Sequence, residues 1–108
     1  MYTNCDEVFK LTIPAVRIAT AKSLARKYAM SQSEIAKRLG IAQPAVSKYL
    51  SGKYTKNVRK LESMIERNKL EAQVSRMIMS GVDRRAIAHK IDEIASSEYL
   101  VREAMKLV

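Results

Sequence analysis

One glycine between two short apolar repeats limits what this chain can fold into more than any other feature. In SQSEIAKRLGIAQPAVSKYLSGK, residues 31–53, Ser31-Gln32-Ser33-Glu34 has the form of a capping box. The Ser31 hydroxyl can accept from the N–H of Glu34 while the Glu34 carboxylate reaches back to the N–H of Ser31. Met30 and Ile35 flank the box as a hydrophobic staple. The helix it starts turns Ile35, Ala36 and Leu39 inward and Lys37 and Arg38 outward, then stops at Gly40, which can take the left-handed backbone a sharp corner needs. Ile41 fills the angle, and Gln43-Pro44 opens a second helix that returns Val46, Tyr49 and Leu50 to the core. Ala36 is small because the second helix crosses closest there.

Around this corner the chain reads as helical throughout. Only 3 Gly and 2 Pro interrupt it, and no alternation of β-branched residues runs far enough for a strand. Ile13, Ile18, Ala21, Leu24, Ala25 and Tyr28 share one side of a helix over 13–28, with Lys22, Ser23, Arg26 and Lys27 opposite and Pro14 in its first turn. Before it, Asn4 or Asp6 can cap a short turn through Val8, Phe9 and Leu11. Val58, Leu61, Met64 and Ile65 mark a helix ending at Asn68, and Leu70, Val74, Met77 and Ile78 another, broken by Ser80-Gly81. Asp83 can cap a last helix in which Ile87, Ile91, Ile94, Glu98, Val101, Met105 and Val108 repeat at spacings of 4, 3, 4, 3, 4 and 3. That is the period of a coiled-coil seam with one polar member. The seam either closes the chain's own core or pairs two copies, and Ser96-Ser97 marks a place where it can break.

Charge divides the chain at the same place as the motif. Residues 8–60 hold 12 Lys and Arg against Glu34 alone, while residues 61–108 hold 8 against 8 acids. Clustered Lys and Arg release counterions when they neutralise phosphates, so the first half has the charge of a polyanion-binding head. The plain alternative is a solvated basic surface. The basic residues alternate with core positions and do not lie opposite one bulky apolar face, which argues against a membrane surface; no apolar run is long enough for a span. The start MYTNCDEVFK lacks the pattern of a secretory signal, so a cytoplasmic protein is expected.

Several chemistries are set aside. Cys5 is the sole cysteine, so neither a disulfide within the chain nor a zinc ligand set is expected, and Asp6 and Glu7 beside it disfavour a thiolate. His89 is the sole histidine and stands in no catalytic spacing, with Asp92 and Glu93 as helix neighbours. The methionines sit mostly at core positions. No enzyme, cofactor or metal is expected.

The corner leaves Gln43, Pro44, Ser47, Lys48 and Ser51 on the outer face of the second helix. A helix about 10–12 Å across enters the major groove of B-DNA, where Gln can pair with adenine and Lys can donate to guanine. Lys53, Tyr54, Thr55, Lys56, Arg59 and Lys60 follow at once and suit the DNA backbone, with Lys37 and Arg17 as weaker candidates, then Lys22 and Arg26. The run from Gln32 to Leu50 resembles the helix-turn-helix of the phage-repressor and Cro type. More narrowly, Pro14-Ala15-Val16-Arg17, the tract from Leu39 to Gly52 and Cys5 together look like a family of archaeal predicted transcriptional regulators. That resemblance implies base reading by Gln43, Pro44, Ser47 and Lys48, and it covers roughly residues 5–53. Ala42 stands where those relatives often carry a capping Ser or Thr.

The expectation is an all-α protein with a Cro/repressor-like helix-turn-helix over 1–60 and a C-terminal helical region over 61–108. It would act as a transcriptional regulator on double-stranded DNA, homodimeric through Ile87, Ile91, Ile94, Val101, Met105 and Val108. The alternative is a helix-turn-helix that coats DNA without sequence choice or grips a protein. The sequence assigns no effector ligand.

Overall fold

The computed structural model describes residues 5–108, and the side chains from Asp6 onward; Asn4 and the side chain of Cys5 lie outside the described residues. Seven helices and no strand occur among them: α1 Cys5–Lys27, α2 Gln32–Leu39, α3 Gln43–Leu50, α4 Lys56–Arg67, α5 Glu71–Met79, α6 Arg84–Ala95 and α7 Glu98–Met105. The all-α expectation holds. None of these helices is long and apolar enough to cross a membrane.

α1 is the axis of the fold, packed against each of the other six helices. This explains why it departs from the amphipathic helix expected over 13–28. Ala15, Val16, Ile18, Ala19, Ala21 and Leu24 are buried together with Thr12, Thr20 and Ser23, so most of its circumference is covered. Small side chains on all sides let six neighbours approach one rod. Two of the buried hydroxyls are hydrogen-bonded, Thr20 Oγ1 donating to the Val16 carbonyl at 2.8 Å and Ser75 Oγ on α5 donating to Ser23 Oγ at 3.0 Å, while Thr12 Oγ1 has no partner among the described residues. Ser23 therefore faces inward and Tyr28 lies exposed, the reverse of what the arc of apolar residues suggested.

Pro14 sits inside α1, not in its first turn. A proline there forfeits the hydrogen bond to the carbonyl four residues back, that of Lys10, an exposed residue where water can replace the lost partner. The helix accordingly runs on through Pro14 and takes in the short turn expected around Val8 and Leu11.

Of the later helices, α4, α6 and α7 begin at side-chain caps, while α5 begins at Leu70 without one. Thr55 accepts from Val58 N–H, Asp83 from Ala86 N–H and Ser97 from Leu100 N–H. Ser97 thus starts a new helix, and the long seam is two helices. Ile87, Ile91 and Ile94 are 2%, 3% and 6% exposed, buried in a core cluster that also contains Ile18, Leu24, Ile35 and Val46. The same period serves a chain's own core as well as a partner, and here the first three seam residues fill the chain's own. Val101 is half-buried, while Met105 and Val108 are exposed. Regions 1–60 and 61–108 share this core, and residue 60 falls within α4.

Candidate nucleic-acid interface

The corner closes much as its residues dictate. Ser31 Oγ accepts from Glu34 N–H at 3.2 Å, and Gly40 takes φ 69° and ψ 35°. The N–H groups of Gly40 and Ile41 both return to the Ala36 carbonyl, ending α2 in the left-handed cap that glycine permits. Ile35 and Val46 are fully buried, and Ala36 and Leu39 nearly so, which pins α2 and α3 to the core. One half of the capping box differs. The Glu34 carboxylate accepts from Arg38 Nε at 2.6 Å, one turn on, where an ion pair replaces the expected reach back to Ser31.

With Val46 as its buried anchor, α3 presents Gln43, Pro44, Ser47 and Lys48 exposed. Its N-terminus is bare: Ala42 makes no side-chain cap, Pro44 supplies no N–H, and the first turn holds no acid. Ser51 ends the helix, its hydroxyl donating back to the Lys48 carbonyl at 3.3 Å.

The segment after α3 is more structural than its composition suggested. Lys53, Lys56 and Lys60 are exposed, but Tyr54 is half-buried and committed. Its hydroxyl donates to Glu62 Oε1 and accepts from Lys22 Nζ at 2.7 Å, and Lys22 Nζ also meets Glu62 Oε2 at 2.7 Å. The Tyr54 hydroxyl, expected at the DNA backbone, is thereby engaged within the fold. A buried carboxylate needed two donors, and this phenol is one of them. Arg59 stacks on the same ring, Cζ 4.8 Å from its centroid, and donates to the Gly52 carbonyl at 3.0 Å. Thr55 caps α4 yet remains exposed. Arg17 is half-buried and lines a recess of α1 alone with Asp6, Phe9, Lys10, Ile13 and Pro14, apart from the cluster that follows α3.

Burial opposes the charge on Glu62, but Lys22 and Tyr54 outweigh it and hold the carboxyl below its ordinary value. Burial opposes the Lys22 ammonium too, and Glu62 and Tyr54 hold it above the ordinary lysine value. Glu66 takes the opposite course: burial first, then the hydrogen bond to Glu62 and that neighbour's charge, push it up to about 7. A carboxyl raised on folding stabilises below its unfolded value near 4.5 and loses that contribution as pH rises through about 7. Between pH 5 and pH 8 the urea midpoint is therefore expected to fall, and Glu66→Gln should flatten the decline; an unchanged slope in that variant would remove Glu66 as its source.

Arg84, at the start of α6, was given no role by the sequence. Its Nη1 donates to the Lys37 carbonyl at 3.2 Å, and its Cδ lies 3.3 Å from where a Cβ on Gly40 would stand. Arg38 adds a second tie, donating to the Ile78 carbonyl at 3.0 Å. Both span 40 or more residues, a separation no local pattern reveals. Arg84→Ala is expected to lower stability by about 1 kcal/mol. Arg85→Ala, at an exposed neighbour, should stay within about 0.5 kcal/mol, and equal effects in urea melts would contradict the brace.

No curated protein and no solved structure matches the chain. The ParB HTH domain family does, over residues 17–108. The match supports a helix-turn-helix but neither the phage-repressor and Cro type nor the archaeal regulators that the corner resembles. It takes in the part of α1 from Arg17 onward, the corner and every helix behind it, so the chain belongs to the ParB HTH domain family.

Proposed function

We propose that this protein is a sequence-specific regulator of transcription that lays α3 in the major groove of double-stranded DNA. The observation that carries the reading is the exposure of Gln43, Pro44, Ser47 and Lys48 on a helix anchored through Val46. The bare N-terminus of α3 supports it, because the Gln43 N–H, which has no backbone partner among the described residues, and the positive end of the helix dipole favour a phosphate. Lys37, Ser51, Lys53, Thr55, Lys56, Arg59 and Lys60 would hold the sugar-phosphate backbone and fix the register of α3.

In this reading the protein works as a pair. Ile87, Ile91 and Ile94 are buried within the chain, so the pairing surface narrows to Val101, Met105 and Val108, joined by the exposed Tyr99. Two copies would address half-sites about 34 Å apart on a near-palindrome. A monomer in sedimentation at tens of micromolar would remove the pairing and leave the DNA reading intact.

Selection from random duplexes at two salt concentrations tests the function. A common site should be enriched at both, with affinity falling steeply as salt rises because phosphate contacts release counterions. Binding indifferent to sequence would replace the regulator with an architectural DNA-coating module, and binding indifferent to salt would point to a protein partner.

A further inference from the structure

On the α1, α4 and α5 side of the molecule lies a cavity of about 250 Å³ lined by Lys22, Ser23, Arg26, Lys27, Glu66 and Glu71. Lys22 is spent on Glu62 and Tyr54. Arg26, Lys27 and Glu71 are not, and Glu66 holds only its hydrogen bond to Glu62. Among the described residues, no ion pair engages Arg26, Lys27, Glu66 or Glu71. Glu71 is 6% exposed, and its Oε1 is buried with no hydrogen-bond partner. A buried carboxylate oxygen without a donor is unfavourable and rare in a finished site. The lining thus sets two unpaired acids, from α4 and α5, around the same space as two unpaired bases from the end of α1.

A plain cation would satisfy the acids but face Arg26 and Lys27, and a plain anion would do the reverse. We propose that the cavity binds a small zwitterion whose ammonium meets Glu71 and Glu66 while its carboxylate meets Arg26 and Lys27. Ser23 Oγ, which already accepts from Ser75, belongs to the same lining and adds a polar group.

Three probes matched in length separate the possibilities: 4-aminobutanoate, butane-1,4-diamine and butanoate, each titrated into the 108-residue chain. Amide shifts of Ser23, Arg26, Lys27, Glu66 and Glu71 are followed by NMR. Saturable shifts centred on these residues are expected with 4-aminobutanoate, at least tenfold tighter than with the diamine or with butanoate. Equal or tighter binding of the diamine or of butanoate would overturn the zwitterion, as would the absence of saturable shifts with all three. Glu71→Gln should weaken 4-aminobutanoate at least tenfold. Lys27→Gln tests the opposite wall, should do the same, and stands alone if the first variant does not fold; unchanged affinity in every folded variant would overturn the site.

Discussion

Lys22→Ala is expected to destabilise the protein by about 3–5 kcal/mol, because it leaves a charged carboxylate buried without its cation. Glu62 is 3% exposed, and Lys22 supplies its one ion pair among the described residues. Against a total stability of about 5–15 kcal/mol for a domain, such a loss should move the urea midpoint far down or unfold the chain at room temperature. The double variant Lys22→Met with Glu62→Leu separates charge from packing. It removes both ions in similar volume, and most of the stability should return, leaving the Tyr54 hydroxyl to partial hydration. A loss under about 1 kcal/mol for the single variant would show that water enters this clasp and that the pair behaves as a surface pair does.

On its selected DNA site, Gln43→Ala or Lys48→Ala should each cost about 1–3 kcal/mol, a factor of roughly five to a hundred and fifty. Both side chains are exposed on α3, so neither substitution disturbs Val46 or the corner. Lys56→Ala, by contrast, should weaken selected and random duplexes alike and lower the salt slope by about one. The contrast is the test. If Gln43→Ala loses as much on random DNA as on the selected site, Gln43 holds phosphate and base reading passes to other positions of α3.

What was legible in the sequence was local. Ser31, Gly40 and Asp83 each state a helix end within a few residues, and the structure puts the ends there. The outward positions of α3 follow from the burial of Val46 at helical spacing. The clasp of Tyr54 was not legible because its partners lie 32 residues back on α1 and 8 residues ahead on α4, so its place among lysines said nothing of the carboxylate beneath it. The seam was ambiguous for a different reason. Ile87, Ile91 and Ile94 would show the same spacing against α1 or against a second chain, since period records which face is apolar and not what covers it. α1 escaped because a helix buried on most sides has no polar face to give it away, and Pro14 looked like a beginning.

The position of α1 bears on how this helix-turn-helix could be engineered. α1 touches every other helix, and Arg84 rests against the turn at Gly40, so the orientation of α3 is held from both halves of the chain. Cutting after Lys60 would strip α1 of the cover given by α5, α6, α7 and the rest of α4, and the corner would not survive as a free-standing part. The portable unit for changing sequence preference is therefore not the motif but its four outward side chains, transplanted onto an α3 that stays in place.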